Sequence, residues 1–425
     1  MWNIIQSIDQ IPELIEVQLN YYRKSDHACF KEALRKSPRK LPPAKGEIVK
    51  IPKTEFLAYW LFEDKDPNHP LAKDFEALAR NAANAIPDLS MHFEVSETSI
   101  RAFRKSPDQE RPPDIPTRLG VSIGLSVVNQ LIGTTRADWN KIDRTRNEEG
   151  KEEPRFDYDL AGTDVGFVAV ENKGGIVSDN TRISPTVSRR KGEIVKGMDA
   201  LRPSYGSVPL IGTIGVADSR EDSRLKCWLL DPPIPKPEKI DSEVYRIARR
   251  LEFQRSLMRF VFPRWKALDF AIEERTKAIL AHNEWEQFQD LALKRPQGGK
   301  FRLKWEGVRK VQTRAGDRLW VGVIRKCRPG YLLYIAMEHH WASAVVEQEL
   351  SRLKEMGSPS RTEEVVLQWQ ATNRERGLLI GTLAEFGKTF GRRTPVKLPA
   401  TLYQTSGGLA FALIEKKRRI IRPKP

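Results

Sequence analysis

The feature that most constrains the fold is a stretch at 155–173, RFDYDLAGTDVGFVAVENK, in which charged residues interrupt two segments of otherwise strand-like character. Asp157 and Asp159 alternate with apolar residues in the first segment, and Glu171 and Lys173 lie two apart at the end of the second. Side chains two positions apart on a strand share a face. The pattern therefore predicts a hairpin with both aspartates on one face of its first strand, and with Glu171 beside Lys173 on its second.

The segments around this hairpin predict an α/β fold. An apolar helix is expected at 118–133, and Ser184 followed by Pro185 is a typical start for a helix over 185–201. Strands are expected at 208–218 and 224–231 because both runs are apolar and short.

Proline-rich stretches at 106–116 and 231–241 mark the expected boundaries, because proline fixes φ and removes a backbone donor. They divide the chain into three regions: a mostly helical one over 1–111, the central α/β region over 112–235, and a region over 236–425 that is first helical and then mixed α+β. Within the first region, residues 11–24 and 74–86 have apolar residues at spacings of three and four, which predicts helices.

The last region combines both periodicities. Helical spacing runs from 244 to 280 and is interrupted by Pro263. Further along, a helix is expected at 343–356 and strands at 318–325, 331–337 and 408–417.

Charge and cysteine content restrict the environment and the partners. The 72 Lys and Arg exceed the 56 Asp and Glu, which gives a formal charge of +16 and favours polyanionic partners. Three widely spaced cysteines argue against a disulfide framework or a thiolate zinc site. With no run of 18 apolar residues and no leader-like start, we expect a soluble cytoplasmic protein with no membrane partner, and we favour DNA over RNA as the polyanion.

The charged cluster has the composition of a metal-dependent phosphodiesterase site. Carboxylates are hard oxygen ligands that suit Mg²⁺ or Mn²⁺, and Asp157 and Glu171 stand 14 positions apart across a short hairpin. Lys173 is suited to position the attacking water and to offset the charge that grows on the phosphoryl oxygens. The alternative is a hairpin with ordinary cross-strand ion pairs on an exposed face.

The same stretch resembles the PD-(D/E)XK nuclease superfamily, and most closely the Arg-x-Asp-Tyr and Glu-x-Lys segments of nuclease modules attached to type I restriction motors. The resemblance covers about 112–235 and implies a restriction-endonuclease-like αβββαβ core. It implies that Asp157, Glu171 and Lys173 are catalytic, and that Asp157, Glu171 and the backbone carbonyl of Asn172 hold the metal. Asp159 is the rival of Asp157 as the metal aspartate.

Two departures from the family pattern concern the helices. The helix over 118–133 lacks the acidic ligand of some members and offers Ser122, Ser126 and Asn129 instead. The helix over 185–201 lacks a glutamine–tyrosine signature but carries four cations that are candidates for phosphate contacts, namely Arg189, Arg190, Lys191 and Lys196. The alternative for each of them is a solvated helix face.

These observations predict a metal-dependent endonuclease of prokaryotic restriction or anti-phage defence. The segment 381–391 does not have phosphate-loop spacing, so a protein partner would supply any motor or sensor. The competing hypothesis is a nucleic-acid-binding or assembly subunit with a nuclease-like fold that does not cleave.

Overall fold

The computed structural model describes residues 8–33, 45–62, 75–103, 112, 114–141, 158–163, 166–205, 210–230, 241–262, 265–294, 299–301, 311–328, 331–369 and 396–415. Its main feature is a seven-stranded mixed sheet with the order β2-β1-β9-β8-β7-β6-β5. These strands are β1 (Leu14–Tyr21), β2 (Ile48–Pro52), β5 (Asn140–Lys141), β6 (Tyr158–Thr163), β7 (Gly166–Val177), β8 (Leu210–Asp218) and β9 (Leu225–Leu230), and a separate hairpin consists of β3 (Phe93–Val95) and β4 (Ile100–Ala102).

Helices cover both faces of this sheet, so the predicted α/β class is confirmed. The helices of this part of the chain are α1 (Lys24–Ala33), α2 (Lys53–Phe62), α3 (Phe75–His92), α4 (Asp114–Ile132) and α5 (Pro185–Tyr205). Helix α4 is buried around most of its circumference because it lies between the sheet and α2. Helix α5 covers the opposite face, where Val187 and Ile194 pack against β7, β8 and β9.

The helical interpretation of residues 11–24 is wrong, because the segment forms strand β1. Ile15, Val17, Leu19 and Tyr21 are all buried, and this alternation is the period of a strand. Strand β1 pairs with β9 in parallel and with β2 in antiparallel orientation, so the sheet includes residues from both sides of the boundary drawn at 111. The helix expected over 74–86 is present as part of α3.

The C-terminal region starts with helices and continues as a closed barrel. Its helices are α6 (Ser242–Val261), α7 (Lys266–His282), α8 (His339–Glu347) and α9 (Leu350–Lys354). The barrel consists of β10 (Val311–Ala315), β11 (Arg318–Arg328), β12 (Tyr331–Glu338), β13 (Arg361–Trp369), β14 (Val396–Gln404) and β15 (Leu409–Glu415) in the order β10-β11-β12-β15-β14-β13. The single helix expected over 343–356 is instead broken between α8 and α9, where Gln348 has the left-handed φ of 61°.

Buried contacts join the barrel to the sheet region. Arg250 of α6 is fully buried and forms an ion pair with Asp138, with an Nε–Oδ1 distance of 2.5 Å. The same guanidinium donates to the carbonyls of Leu353 and Lys354, both at 2.7 Å. Since Asp138 and the Leu353–Lys354 pair come from two distant parts of the chain, Arg250 ties the sheet region, α6 and α9 together.

Glycines bring α4 directly against the backbone of β7. A Cβ atom on Gly120 would lie 2.4 Å from the carbonyl carbon of Lys173, and one on Gly174 would lie 1.6 Å from the carbonyl oxygen of Pro116. A Cβ atom on Gly124 would be 2.2 Å from the side-chain oxygens of both Asn172 and Thr213. Only glycine permits this separation, so α4 supports β7 along the segment that carries the predicted site.

Candidate active site on strand β7

The side chains of strand β7 point alternately toward α4 on one face of the sheet and toward α5 on the other. Val168 and Val170 belong to the core on the α4 side, whereas Phe167 and Ala169 pack with α5 residues. By the two-residue period of a strand, Glu171 and Lys173 share the α5 face with Phe167. The predicted placement of the two charged residues on one face is therefore present.

Glu171 and Lys173 form an ion pair between Oε1 and Nζ. The Glu171 side chain is 10% exposed and that of Lys173 is 27% exposed, so the carboxylate is nearly enclosed and the amine reaches further toward solvent. An ordinary exposed hairpin pair would leave both side chains in water. Here the carboxylate is held in the low-dielectric part of the sheet, where its charge interacts more strongly with a cation.

The wall on the β8 side of Glu171 is apolar. Glu171 is in register with Gly212 of β8, which has no side chain. A Cβ atom at Gly212 would lie 2.8 Å from both Ile194 of α5 and Leu230 of β9, so these two side chains occupy the space above the glycine. Glu171 therefore has a closed hydrophobic side toward β8, and the opposite edge of β7 pairs with β6.

Strand β6 approaches from that side, and its register shifts near the predicted aspartates. Tyr158 pairs with Val170, but Ala161 pairs with Val168, so β6 holds one extra residue between these positions. Asp159 lies in this irregular part, and its backbone pairs with Asn140 of β5. Asp157 and the side chain of Asp159 lie outside the described residues. The approach of either aspartate to Glu171 therefore stays a prediction.

Asn172 turns its side chain to the opposite face, toward α4. The residue is buried, and its Oδ1 accepts a hydrogen bond of 2.7 Å from Thr213 Oγ1 beneath Gly124. This contact joins β7 to β8 where α4 approaches most closely. The side chain therefore serves packing, and only the backbone carbonyl of Asn172 remains a predicted metal ligand.

The four cations predicted on α5 have different environments. Arg189 has a side chain that is 66% exposed, with Glu193 3.8 Å away, and Lys196 is exposed two turns further on the same helix face. Both are available at the surface. Lys191 lies 5.0 Å from the centre of the Tyr22 ring, a cation–π arrangement at the end of β1.

Arg190 contacts the site strand itself. Its Nε donates to the carbonyl of Gly174 at 3.2 Å, and its Nη1 lies 2.8 Å from Glu193 Oε2. Gly174 follows Lys173 directly, so Arg190 holds α5 against β7 next to the predicted catalytic lysine. The sequence indicated only a phosphate contact for Arg190, and this hydrogen bond to the backbone of β7 was not predicted.

The described residues include no group of three His, Cys, Asp or Glu side chains arranged to hold a metal ion. Of the three predicted carboxylate ligands, only Glu171 has a described side chain. It supplies one hard oxygen donor, which is the donor type that Mg²⁺ and Mn²⁺ take.

The sequence analysis did not single out the glycines of α4 and β7 that allow these two elements to pack closely. Gly120 and Gly124 are four apart in α4, and Gly174 and Gly175 follow Lys173 directly. A small-residue pair on a helix together with glycines in a strand is a pattern of close backbone approach. That pattern was available in the sequence, but the partner of each glycine was not.

Comparison with known proteins gives no family for this chain. No protein-family model matches it, and no curated protein or solved structure is significantly similar to it. No helix among the described residues is both long and apolar enough to cross a membrane.

Proposed function

We propose that this chain is a metal-dependent nuclease of the PD-(D/E)XK type that hydrolyses phosphodiester bonds in DNA. The observation that carries the proposal is the Glu171–Lys173 ion pair on one face of β7, in which the carboxylate is nearly enclosed. A scaffold with no chemistry has little reason to keep a carboxylate in this environment, because removing a charged group from water costs free energy.

The order of elements supports the same proposal. Helix α4, strands β5 to β7, helix α5 and strand β8 follow one another along the chain, and β8 returns parallel to β7. The restriction-endonuclease-like core, αβββαβ, has this order. Since the backbone of Tyr158 pairs with Val170, the residue after Asp157 lies beside the residue before Glu171.

In this proposal Asp157, with Asp159 as its rival, joins Glu171 and the carbonyl of Asn172 in holding Mg²⁺ or Mn²⁺. When bound, the metal supplies Lewis-acid stabilisation of the phosphoryl oxygens and lowers the pKa of a bound water. Lys173 Nζ hydrogen bonds the attacking water and offsets the negative charge that develops in the transition state. The apolar wall of Ile194 and Leu230 keeps bulk water away from one side of Glu171.

Arg189 and Lys196 are proposed to contact the sugar-phosphate backbone. Both are exposed on α5, which packs across the face that carries Glu171 and Lys173. Arg190 is proposed as a positioning residue because its hydrogen bond to Gly174 fixes the end of the Glu-x-Lys segment. A role in restriction or anti-phage defence, with a partner protein that supplies a motor or sensor, is an extension by analogy.

The test is incubation of the purified chain with supercoiled plasmid, single-stranded DNA and RNA in the presence of MgCl₂, MnCl₂ or EDTA. We expect metal-dependent DNA cleavage that is abolished in Glu171→Gln and Lys173→Met. Lys50→Met is the matched control, because Lys50 pairs with Glu16 at 3.7 Å on the same sheet but lies on β2, which β1, β9 and β8 separate from β7. Circular dichroism and melting curves of all variants exclude unfolding as the cause of lost activity.

Two results would change the conclusion. Cleavage that persists in both Glu171→Gln and Lys173→Met would remove the active-site assignment. DNA binding without cleavage under every metal condition would favour the alternative of a non-cleaving nucleic-acid-binding or assembly subunit.

A further inference from the structure

Helix α5 exposes the face that points away from the sheet. Val187 and Ile194 pack on the strands beneath the helix. On its other side, exposed residues recur at spacings of three and four, namely Pro185, Arg189, Gly192 and Lys196. These spacings place them in one row along the helix. The row, which we call the outer face of α5, is therefore a surface on which a second molecule can lie.

Gly192 lies in the middle of this face, and the described residues give no steric reason for a glycine there. A Cβ atom on Gly192 would meet no atom within 4 Å, whereas one on Gly120 of α4 would collide with the backbone of β7. Apart from proline, glycine is the poorest helix former. It is favoured where another backbone must come close. The neighbour that uses the free space at Gly192 therefore lies outside the described chain.

The charge of α5 selects an anionic neighbour. Residues 185–199 include four cations and two carboxylates, in a chain with a formal charge of +16. One carboxylate, Glu193, lies 2.8 Å from Arg190 Nη1 but 3.8 Å from Arg189 Nε. The longer contact joins two exposed side chains and is worth little, so Arg189 is able to turn to a phosphate instead.

The spacing of the cations fits a sugar–phosphate backbone. Arg189 and Lys196 lie on either side of Gly192, about 10 Å apart along the helix axis. Ser188 is exposed beside Arg189 and adds a hydroxyl donor. Arginine, lysine and serine side chains are among the groups that contact DNA phosphates. A DNA backbone that passes over the bare glycine would have a cation on each side.

Gly192 also lies level with the proposed cleavage site. Arg190 donates to the carbonyl of Gly174 at 3.2 Å, and Ile194 packs over the β8 glycine that is in register with Glu171. Gly192 stands between these two helix residues, on the solvent side of the same turn. DNA that crosses α5 at this point is therefore level with the Glu-x-Lys segment.

Further cations lie beyond the outer face, on the side of β1. Lys191 Nζ lies 5.0 Å from the centre of the Tyr22 ring, and this cation–π contact favours a position at the β1 edge of the helix. Two exposed cations follow Tyr22 directly, namely Arg23 and Lys24. A DNA backbone that continues from α5 toward β1 would stay on a positively charged surface.

We propose that DNA lies across the outer face of α5, with its sugar–phosphate backbone against Gly192 and its phosphates held by Arg189 and Lys196. The inference rests on the proposed nuclease function for the identity of the polyanion, and it adds the place where the DNA crosses the helix. Gly192 is required because a side chain at this position would keep the backbone away from both cations. Contacts of this kind position the DNA and carry no sequence information.

The test measures DNA binding without cleavage, by fluorescence anisotropy of a short labelled duplex in EDTA and, separately, in CaCl₂. Gly192→Leu should bind about tenfold more weakly than the wild type, with a shallower slope of log K against log salt, because phosphate contacts are lost. Gly192→Ala should show a smaller loss. The melting temperature of both variants should not fall, since their Cβ atoms enter open space and both residues are good helix formers. Ala267→Leu is the matched control, because it adds bulk at an exposed position of α7 and should bind as the wild type does.

Several results would overturn the proposal. Equal DNA affinity of the wild type and Gly192→Leu would do so, as would an equal loss in Ala267→Leu or a wild type that binds no DNA. Tighter binding of RNA or of polyglutamate would exclude DNA as the molecule on α5. A chain that shows the Gly192 effect but never cleaves DNA would refute the nuclease function and retain this inference, whereas cleavage without the Gly192 effect would do the reverse.

Discussion

Replacing Gly120 by alanine should destabilise the protein, although alanine is the better helix former. The added Cβ would lie 2.4 Å from the Lys173 carbonyl carbon and 2.5 Å from the Gly174 nitrogen. Ordinary contact begins near 3.4 Å, so α4 and β7 would have to separate by about 1 Å. Both obstacles are main-chain atoms of a paired strand, which cannot rotate away as a side chain does.

The magnitude follows from two opposing effects. Alanine gains about 1 kcal/mol of helix propensity over glycine. Overpacking a tightly packed interior costs about 1–3 kcal/mol, and a separation of 1 Å also weakens the dispersion contacts along the interface. Because the obstruction is backbone, we expect the upper part of that range and a net loss of about 2 kcal/mol in the free energy of unfolding.

Gly192 in α5 provides the matched control. A Cβ atom there meets no other atom within 4 Å, so Gly192→Ala should have only the propensity effect and stabilise by about 0.5–1 kcal/mol. A change of 1 kcal/mol in the free energy of unfolding shifts the melting temperature of a domain of 150–250 residues by about 2–4 °C. The two variants should therefore differ in melting temperature by at least about 5 °C in scanning fluorimetry. A Gly120→Ala protein that melts at or above the wild-type temperature would refute the close approach of α4 to Lys173.

Further predictions concern the buried ion pair, acid stability and the basic helix face. Asp138→Asn should destabilise by about 3 kcal/mol, because Arg250 would remain buried without its countercharge, and the Asp138→Leu/Arg250→Met double variant should recover most of that loss in urea unfolding. Burial disfavours the charged form of Asp138, but Arg250 outweighs it and holds the pKa below its ordinary value. A depressed pKa contributes stability that is present above the unfolded pKa of about 4 and is lost as the pH falls toward the folded value. The wild-type melting temperature should therefore fall on acidification below about pH 4, and it should fall less steeply in the double variant. In Arg189→Ala/Lys196→Ala, DNA affinity should decrease and the slope of log K against log salt should become shallower by about 1.8, whereas an unchanged slope would exclude both residues from phosphate contact.

Local periodicity in the sequence was sufficient to predict the strand that carries Glu171 and Lys173 and the face that they share. The two-residue alternation placed Glu171 and Lys173 on one face, and the apolar run before them identified the strand, because both properties depend only on backbone geometry within a few residues. The same reasoning identified α4 and α5 and the helix start at Pro185. It did not distinguish helix from strand at residues 11–24, where apolar residues fit both periods.

The tertiary structure decided which surfaces meet. Strand β1 is a strand because β9 and β2 pair with it on both sides, and Asn172 faces α4 because two glycines let that helix approach. Glu55 meets Ser406 across 351 positions of sequence. A sequence period states which side chains share a face but not what covers that face, since the partner is chosen by packing over the whole fold. The sequence by itself therefore determined the charged strand, and the tertiary structure determined how its carboxylate is enclosed.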